Sequence, residues 1–533
     1  MHPYNSIRTI AFFNFLFEND FKAILPELFL VVSSILLLMY GVVLSTSTKN
    51  NYPLLLNNIS LLSLLSFIFT FFLFKNNFIT HATIFYNTLV IDNFTYFLKI
   101  LIIFSVCFCI LISLNYMKKQ SFNAFEYMIL VLLSTISMLL LISSYDFISM
   151  YLAIELQSLC FYVMCASKRN SEFSTEAGLK YFLLGAFSSG ILLFGISLIY
   201  GFTGITNFSE LAKIFACGFH FQEYSYADNV NSSLRACELG MIFILVGFLF
   251  KLTAVPFHMW APDVYEGVPT SVTAFFSITP KISILAIVIK VFTDSFYDFM
   301  FPWQKILIFS SICSMIYASF AAMSQNKIKR LLAFSSIQHV GYLLIGICCG
   351  TTEGLQALFI YLVVYIVMTI NIFAIILSPL HKINAVFPVE TPQVKYTTDL
   401  TMLSKTNSIL ALTFTVTLFS IAGIPPLAGF YSKAFLFFAA MSSTMYLLAI
   451  VGVVTSVISC FYYIRLVKIM YFEKITFSGS DKQNRSFDHL SFAQVKKENA
   501  IILALSFFFI LFFMLFPTPL YLISHKFALF VCV

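Results

Sequence analysis

The chain has 533 residues, 60% hydrophobic and 10% charged, with a formal net charge of +7. Soluble domains carry roughly 25% charged residues, so lipid must be the solvent for most of this chain. The 11 cysteines form no CxxC pair and no Cys/His cluster at metal spacing, and no glycine-rich phosphate or dinucleotide loop occurs, so no nucleotide, flavin, iron–sulfur or metal site is visible.

The first residues, MHPYNSIRTIAFFNFLFEND, show neither a secretory cleavage pattern nor an Arg/Ser-rich leader. The chain is therefore expected to be made where it is inserted. Apolar runs of about 20 residues, each long enough to cross a bilayer, recur about fourteen times. Their approximate limits are 23–45, 53–74, 89–114, 123–143, 145–166, 175–200, 238–258, 268–292, 303–324, 330–349, 354–379, 407–440, 443–470 and 499–523. The expected fold is thus an all-α polytopic membrane protein. Its longest loops are 201–237 and 471–498, and no low-complexity linker divides it.

Several spans contain charge. Glu27 follows Pro26 at the start of the first span and is expected at the interface. Lys99, in TYFLKIL of the third, is expected to snorkel or to pair with Asp92. No proline opens its helix, so replacement by Met is expected to be tolerated. Glu155 lies in the fifth span, in MYLAIELQSLCFY. In the sixth, Lys180 follows Glu176 at i+4, which fits a plain ion pair as well as a functional lysine. Lys251 lies in the seventh span, Lys281 in the eighth and Lys433 in the twelfth. Glu155, Lys251 and Lys281 each lie roughly 15–20 Å into their spans, near the bilayer midplane. Facing lipid, each such charge would cost about 2.5–3.5 kcal/mol. Snorkelling from that depth is poor, so these residues and Lys433 are candidates for ion or proton transfer.

Prolines accompany three of these lysines. Pro256 lacks an N–H and deprives the Leu252 carbonyl of its helical partner. Pro425 and Pro426 do the same to Ile421 and Ala422, and Pro280 to Phe276. Freed carbonyls at membrane depth need water or a polar side chain. Helices broken beside ionisable groups are therefore expected to line a hydrated path, the alternative being bends that serve packing alone. AVPFHMW in span seven and GIPPLAGF in span twelve resemble each other across five spans. An odd-numbered repeat must insert its copies in opposite orientations, as in secondary transporters.

The runs YLAIELQSLCFYVMCASKRNSEFSTEAGLKYFLLGAFSSGILLFG, FLFKLTAVPFHMWAPDVYEGVPTSVTAFFSITPKIS, KIKRLLAFSSIQHVGYLLIG and SIAGIPPLAGFYSKAFLF carry a family resemblance. They are similar to the family formed by subunit 2 of mitochondrial NADH:ubiquinone oxidoreductase (complex I) and its bacterial counterpart, the N subunit. The resemblance covers most of 90–523. It implies an antiporter-like fold of fourteen helices with helices 7 and 12 broken. The implied divisions are 1–122 with helices 1–3, a five-helix repeat over 123–302, an inverted repeat over 303–474, and a loop with the last helix over 475–533. The family's buried glutamate matches Glu155. Its central lysines match Lys251 and Lys281, its exit-side lysine Lys433, and a further lysine Lys180. His258 in VPFHMW and His339 in SSIQHVGY match family histidines, whereas Lys99 has no counterpart.

The resemblance also implies a location and partners. The location is the mitochondrial inner membrane. The partners are other membrane-arm subunits, lipids such as cardiolipin, protons and water, with no nucleic acid. Flavin, iron–sulfur clusters and quinone are expected in other subunits, with no cofactor in this chain. Desolvation disfavours an ammonium and a nearby carboxylate favours it. Glu155 near Lys251 would therefore act as a switch, feeding Lys281, then His339 and waters, then Lys433. A subunit of a cation/proton antiporter complex is the alternative, but QSLCFY and APDVYEGVPT favour complex I. A passive scaffold would not explain the midplane charges.

Of 31 Lys and Arg residues, 18 follow odd-numbered spans or sit in those spans' last turns. The positive-inside rule places these loops in the matrix and both termini in the intermembrane space. Protease added to right-side-out mitoplasts should spare the loops at 115–122 and 471–498. Cleavage there would reverse the orientation.

Overall fold

The computed structural model describes residues 20–45, 53–77, 82–119, 125–168, 170–221, 227–378, 380–382, 394–401, 403–473, 490–492 and 495–532. The first half contains α1 (Leu25–Ser45), α2 (Pro53–Asn76), α3 (Asn93–Lys119), α4 (Glu126–Ser143), α5 (Phe147–Cys165), α6 (Glu172–Thr203), α7 (Phe208–Phe221), α8 (Ala227–Leu252), α9 (Trp260–Gly267) and α10 (Thr270–Lys290). Then follow α11 (Met300–Met323), α12 (Ile328–Cys348), α13 (Thr352–Ile376), α14 (Ser408–Ala422), α15 (Ala428–Ser442), α16 (Tyr446–Tyr471), α17 (Lys497–Phe512) and α18 (Thr518–Cys532). Among the described residues, 11 helices are long and apolar enough to cross a membrane. Expected spans seven, twelve and fourteen are each interrupted.

Local chemistry sets many helix ends. The Asp146 carboxylate accepts from the Ile148 N–H to start α5, Thr351 from Gly354 to start α13, and Asn407 from Leu410 to start α14. Inside the spans, hydroxyls fold back on their own helix. Ser60, Ser63 and Ser66 donate in succession to carbonyls three residues earlier. That bond lets a hydroxyl sit in apolar surroundings without a partner on another helix.

The centre of the bundle is enclosed by protein. Every residue of α10 is buried, as is α12 from Leu331 onward. By contrast α1 exposes Val32, Ile35, Leu36, Met39 and Val43, as a lipid-facing helix does. The helices bearing Lys281 and His339 are thus the most enclosed. Two small antiparallel pairs join the helices, Ala82–Ile84 with Leu89–Ile91 and Leu380–Lys382 with Leu490–Phe492. The all-α expectation omitted them.

Several expectations need correction. Lys99 neither snorkels nor relies on Asp92. Its Nζ lies 2.6 Å from Glu27 Oε1, and both side chains are almost fully buried. Glu27, in the first turn of α1, is buried within the bundle rather than exposed at its surface. A lone Lys99→Met change would strand a buried carboxylate, and removing one partner of such a pair costs about 3–5 kcal/mol. Pro280 does not break its helix, because α10 continues through it. The last expected span is two helices, parted at Pro517, which has no N–H to continue α17. Finally, the expected loop at 201–237 is largely helical, holding α7 and the start of α8; residues 222–226 and most of the loop at 474–498 lie outside the described residues.

The break between α14 and α15 depends on close backbone approach. A Cβ at Gly429 would stand 1.8 Å from the Ser420 carbonyl oxygen, whereas one at Gly190 would meet nothing within 4 Å. Gly429→Ala should therefore destabilise the fold by about 1–3 kcal/mol, the range for overpacking. Gly190→Ala should be neutral or slightly stabilising. Thermal midpoints of the purified protein in detergent separate the two, and equal midpoints would refute the argument.

Candidate functional site

The first group of candidate residues gathers where α8 ends. Lys251 lies in the last turn of α8, and its Nζ is buried without a hydrogen-bond partner. Glu155 lies midway along α5. Its Oε1 is also buried and unpartnered, and Oε2 is 3.4 Å from Ser158 Oγ. The two are close enough for the carboxylate to act electrostatically on the ammonium, yet they are not hydrogen-bonded to each other. The geometry is that of a parted pair.

Beyond Lys251 the chain leaves the helix at Thr253 and restarts as α9. Trp260 Nε1 donates to the Phe250 carbonyl at 3.1 Å, which satisfies one acceptor at the broken end. A cavity of about 30 Å³ lies here, bordered by Lys251, Thr253, Ser158, Tyr265, Pro280 and Lys281. One water needs roughly 10–15 Å³ on this measure, so about two fit. Tyr265 Oη lies 3.5 Å from the Phe276 carbonyl, the one that Pro280 frees. The proline thus supplies an acceptor to a cavity wall without breaking α10.

Lys281 joins this cavity to the next helices. Its Nζ donates to Tyr365 Oη at 2.8 Å and lies 3.5 Å from the Ser336 carbonyl. Tyr365 Oη in turn donates to the Ser277 carbonyl at 3.3 Å. A second cavity of about 20 Å³ is lined by Ser277, Ser336, His339, Tyr365, Thr369 and Ile421. His339 Nδ1 is 2.6 Å from Tyr361 Oη.

Ile421 leads to the second break. Lys433 Nζ donates to the Ile421 carbonyl at 2.8 Å and to Ala422 at 3.1 Å. These are the two carbonyls that Pro425 and Pro426 deprive of helical donors. Gly423 follows directly after them with φ +92°, and a Cβ there would press on the lysine's terminal atoms. The ammonium also lies 5.2 Å from the Tyr342 ring centre, within cation–π reach. Tyr342 belongs to a network in which Gln338 Nε2 donates to Tyr342 Oη at 2.9 Å, and Tyr462 Oη donates to Gln338 Oε1 at 2.7 Å.

The structure therefore brings together Glu155, Lys251, Lys281, His339 and Lys433, in that order. It leaves Lys180 and His258 outside the row. Lys180 is 42% exposed and pairs with Glu176 at 2.8 Å and Asp263 at 3.2 Å. Asp263 also holds Arg330, and Glu266 holds Arg330 and Lys327. These pairs tie α9 to α6 and to the start of α12. His258 is buried against Tyr317, with ring centres 4.5 Å apart and Nδ1 unpartnered, and it lines neither cavity.

Sequence reading missed Tyr265, Tyr361, Tyr365 and Gln338. A usable signal was the pair of tyrosines in YLVVYIV, four residues apart on one helical face. Among the described residues, no three His, Cys, Asp or Glu gather as a metal site. The chemistry on offer is proton transfer among ammonium, imidazole, phenol and water in a site closed to bulk solvent.

Residues 144–459 match the family described as NADH:quinone oxidoreductase/Mrp antiporter, transmembrane. The chain is 56% identical to NADH-ubiquinone oxidoreductase chain 2 of Marchantia polymorpha, over 97% of this chain and 100% of that one. It is 42% identical to NADH-quinone oxidoreductase subunit N of Paramagnetospirillum magneticum, over 94% of this chain and 96% of that one. Among solved structures, a chain of respiratory complex I from Thermus thermophilus aligns with TM-score 0.72 and 24% identity, covering 93% of this chain and 98% of that one. A chain of the Mrp complex from Dietzia aligns with TM-score 0.77 and 19% identity, covering 96% and 98%. At those identities the two structures show a shared fold.

Proposed function

The chain belongs to the NADH:quinone oxidoreductase/Mrp antiporter family, and from that premise we propose that it is the proton-translocating chain 2 type subunit of the membrane arm of respiratory complex I. The observation that carries this reading is the row from Lys251 to Lys433. Ammonium groups, a histidine and tyrosine hydroxyls succeed one another across two water-sized cavities, and the row ends on the carbonyls of a broken helix.

The mechanism follows from the geometry. A carboxylate beside an ammonium favours the charged form, and desolvation opposes it. Lys251 keeps its proton when Glu155 closes on it and gives it up when they part. Waters between Lys251 and Lys281 carry the proton on. Tyr365 and His339 relay it, and Lys433 delivers it at the second break. Lys180 acts at the rim of this path through its ion pairs, and His258 beside the first break. Oxidation of NADH takes place in other subunits, which hold the flavin, iron–sulfur and quinone chemistry. The redox step alters the field along the row.

In this reading 123–302 and 303–474 are inverted repeats, 1–122 precedes them, and 475–533 closes the bundle. Their support is the recurrence of a break followed by a new helix, at Leu252–Trp260 and at Ala422–Ala428. The protein works in the mitochondrial inner membrane with both termini in the intermembrane space. Its outer apolar faces meet neighbouring membrane-arm subunits and lipid, cardiolipin included.

Glu155→Gln keeps the side-chain shape and removes the charge. In vesicles of the assembled complex from a tractable relative, it should leave assembly intact and cut NADH-driven proton uptake by about tenfold, equivalent to ~1.4 kcal/mol at the limiting step. Glu155→Asp should be milder. Wild-type pumping by the Gln variant would defeat the switch, and uptake that requires sodium would favour a cation/proton antiporter. Lys433→Met should abolish or strongly reduce coupled turnover in the same assay. Unchanged turnover would remove Lys433 from the path.

A further inference from the structure

A second buried charge pair lies outside the row. Glu27 is the third residue of α1, and Lys99 is the seventh of α3, about 9 Å from that helix's start. Lys99 Nζ lies 2.6 Å from Glu27 Oε1. Glu27 Oε2 is equally buried, and no described group donates to it. An unmet buried acceptor is costly, so a donor or a proton at Oε2 would be stabilised there. An apolar pair of similar volume would also pack there at less cost. The carboxylate thus offers one open proton-accepting position in an enclosed site.

A second group of charges stands at the same end of the bundle. Lys290, at the end of α10, donates to the Ile142 carbonyl at 2.6 Å. It lies close enough to Asp294, Asp92 and Lys99 for their charges to act on it. Asp92 precedes α3, and Asp294 lies in the turn after α10, so both stand at the bundle end that Glu27 and Lys99 approach. Other charged groups on the packed elements are Asp20 and Lys22 before α1, Lys75 at the end of α2, Glu353 at the start of α13, and His525 and Lys526 on α18. Glu126 of α4 and Glu498 of α17 sit in first turns at the far end of the bundle. Lys290 and Lys281 share α10 nine residues apart, or two and a half turns, so they occupy opposite faces. One helix therefore bears the central row on one side and this cluster on the other.

We propose that Glu27 and Lys99 form a second proton-labile pair, separate from the central row, that takes up and returns a proton through the open oxygen of Glu27 as the complex turns over. The proton binds Oε2 and the carboxylate becomes a neutral acid. Lys99 keeps its own proton. On return the O–H bond breaks and the proton leaves toward Asp92 and Asp294. This rests on the proposed role in proton translocation.

The test uses the assembled complex that contains this chain, in vesicles. Infrared difference spectra between oxidised and NADH-reduced states are recorded for wild type, E27Q and the double variant E27Q/K99M. The double variant removes both charges, so it assembles even where the single one does not. The expected result is a protonated-carboxyl band, sensitive to D2O, that is present in wild type and lost in both variants, together with fewer protons moved per electron pair. Spectra identical to wild type, or a wild-type proton-to-electron ratio in the double variant, overturn the proposal. E155Q run alongside separates the two readings. Loss of pumping in E155Q with no effect of E27Q removes only this pair, whereas wild-type pumping in E155Q removes the central row's role.

Discussion

In hydrocarbon a backbone carbonyl without a donor costs several kcal/mol, and so does an ammonium without acceptors. The second break solves both problems with one contact. Pro425 and Pro426 strip Ile421 and Ala422 of helical donors, and Lys433 Nζ bonds both carbonyls. The lysine can lie at that depth because the helix is open, and the helix can be open because the lysine is there. Gly423 and Gly429 make room for the arrangement, since side chains at either position would collide with it. The proposed path ends at this point.

The first break is satisfied differently. Trp260 bonds the Phe250 carbonyl, while Lys251 Nζ is left without a hydrogen bond. Similar interruptions thus place one lysine in firm contacts and leave another poised beside a water-sized cavity. Lys281 lies between these extremes, held by one phenol and one distant carbonyl. A proton path needs such gradation, because a site that binds too well does not release. The enclosed position of α10 and α12 would shield the proposed path from bulk water.

Lys99 and Lys433 show how far sequence alone can be read. Both are lysines in apolar spans. Pro425 and Pro426 announced the partners of Lys433, and those carbonyls are the ones it bonds, because a proline's effect on its own helix is local. The partner of Lys99 is 72 residues away, on a helix that packs beside it only in the folded bundle. Asp92, seven residues off, was the nearest carboxylate in sequence and the wrong choice. Lys180 was legible as an ion pair with Glu176, but its bond to Asp263 brings in a helix 83 residues on.

By itself the sequence determined the membrane environment, most of the spans, the sites of both interruptions and the residues of the central row. Each of these follows from hydropathy, from the missing N–H of proline or from a long motif, all of which are local in the chain. The tertiary structure alone decided which groups meet. It placed Tyr365 on Lys281, parted Glu155 from Lys251, moved Lys180 and His258 off the row, and joined Glu27 to Lys99. Those outcomes depend on how helices far apart in sequence pack and rotate against one another. Within spans that are apolar on most of their faces, no clear periodicity marks the face that turns inward.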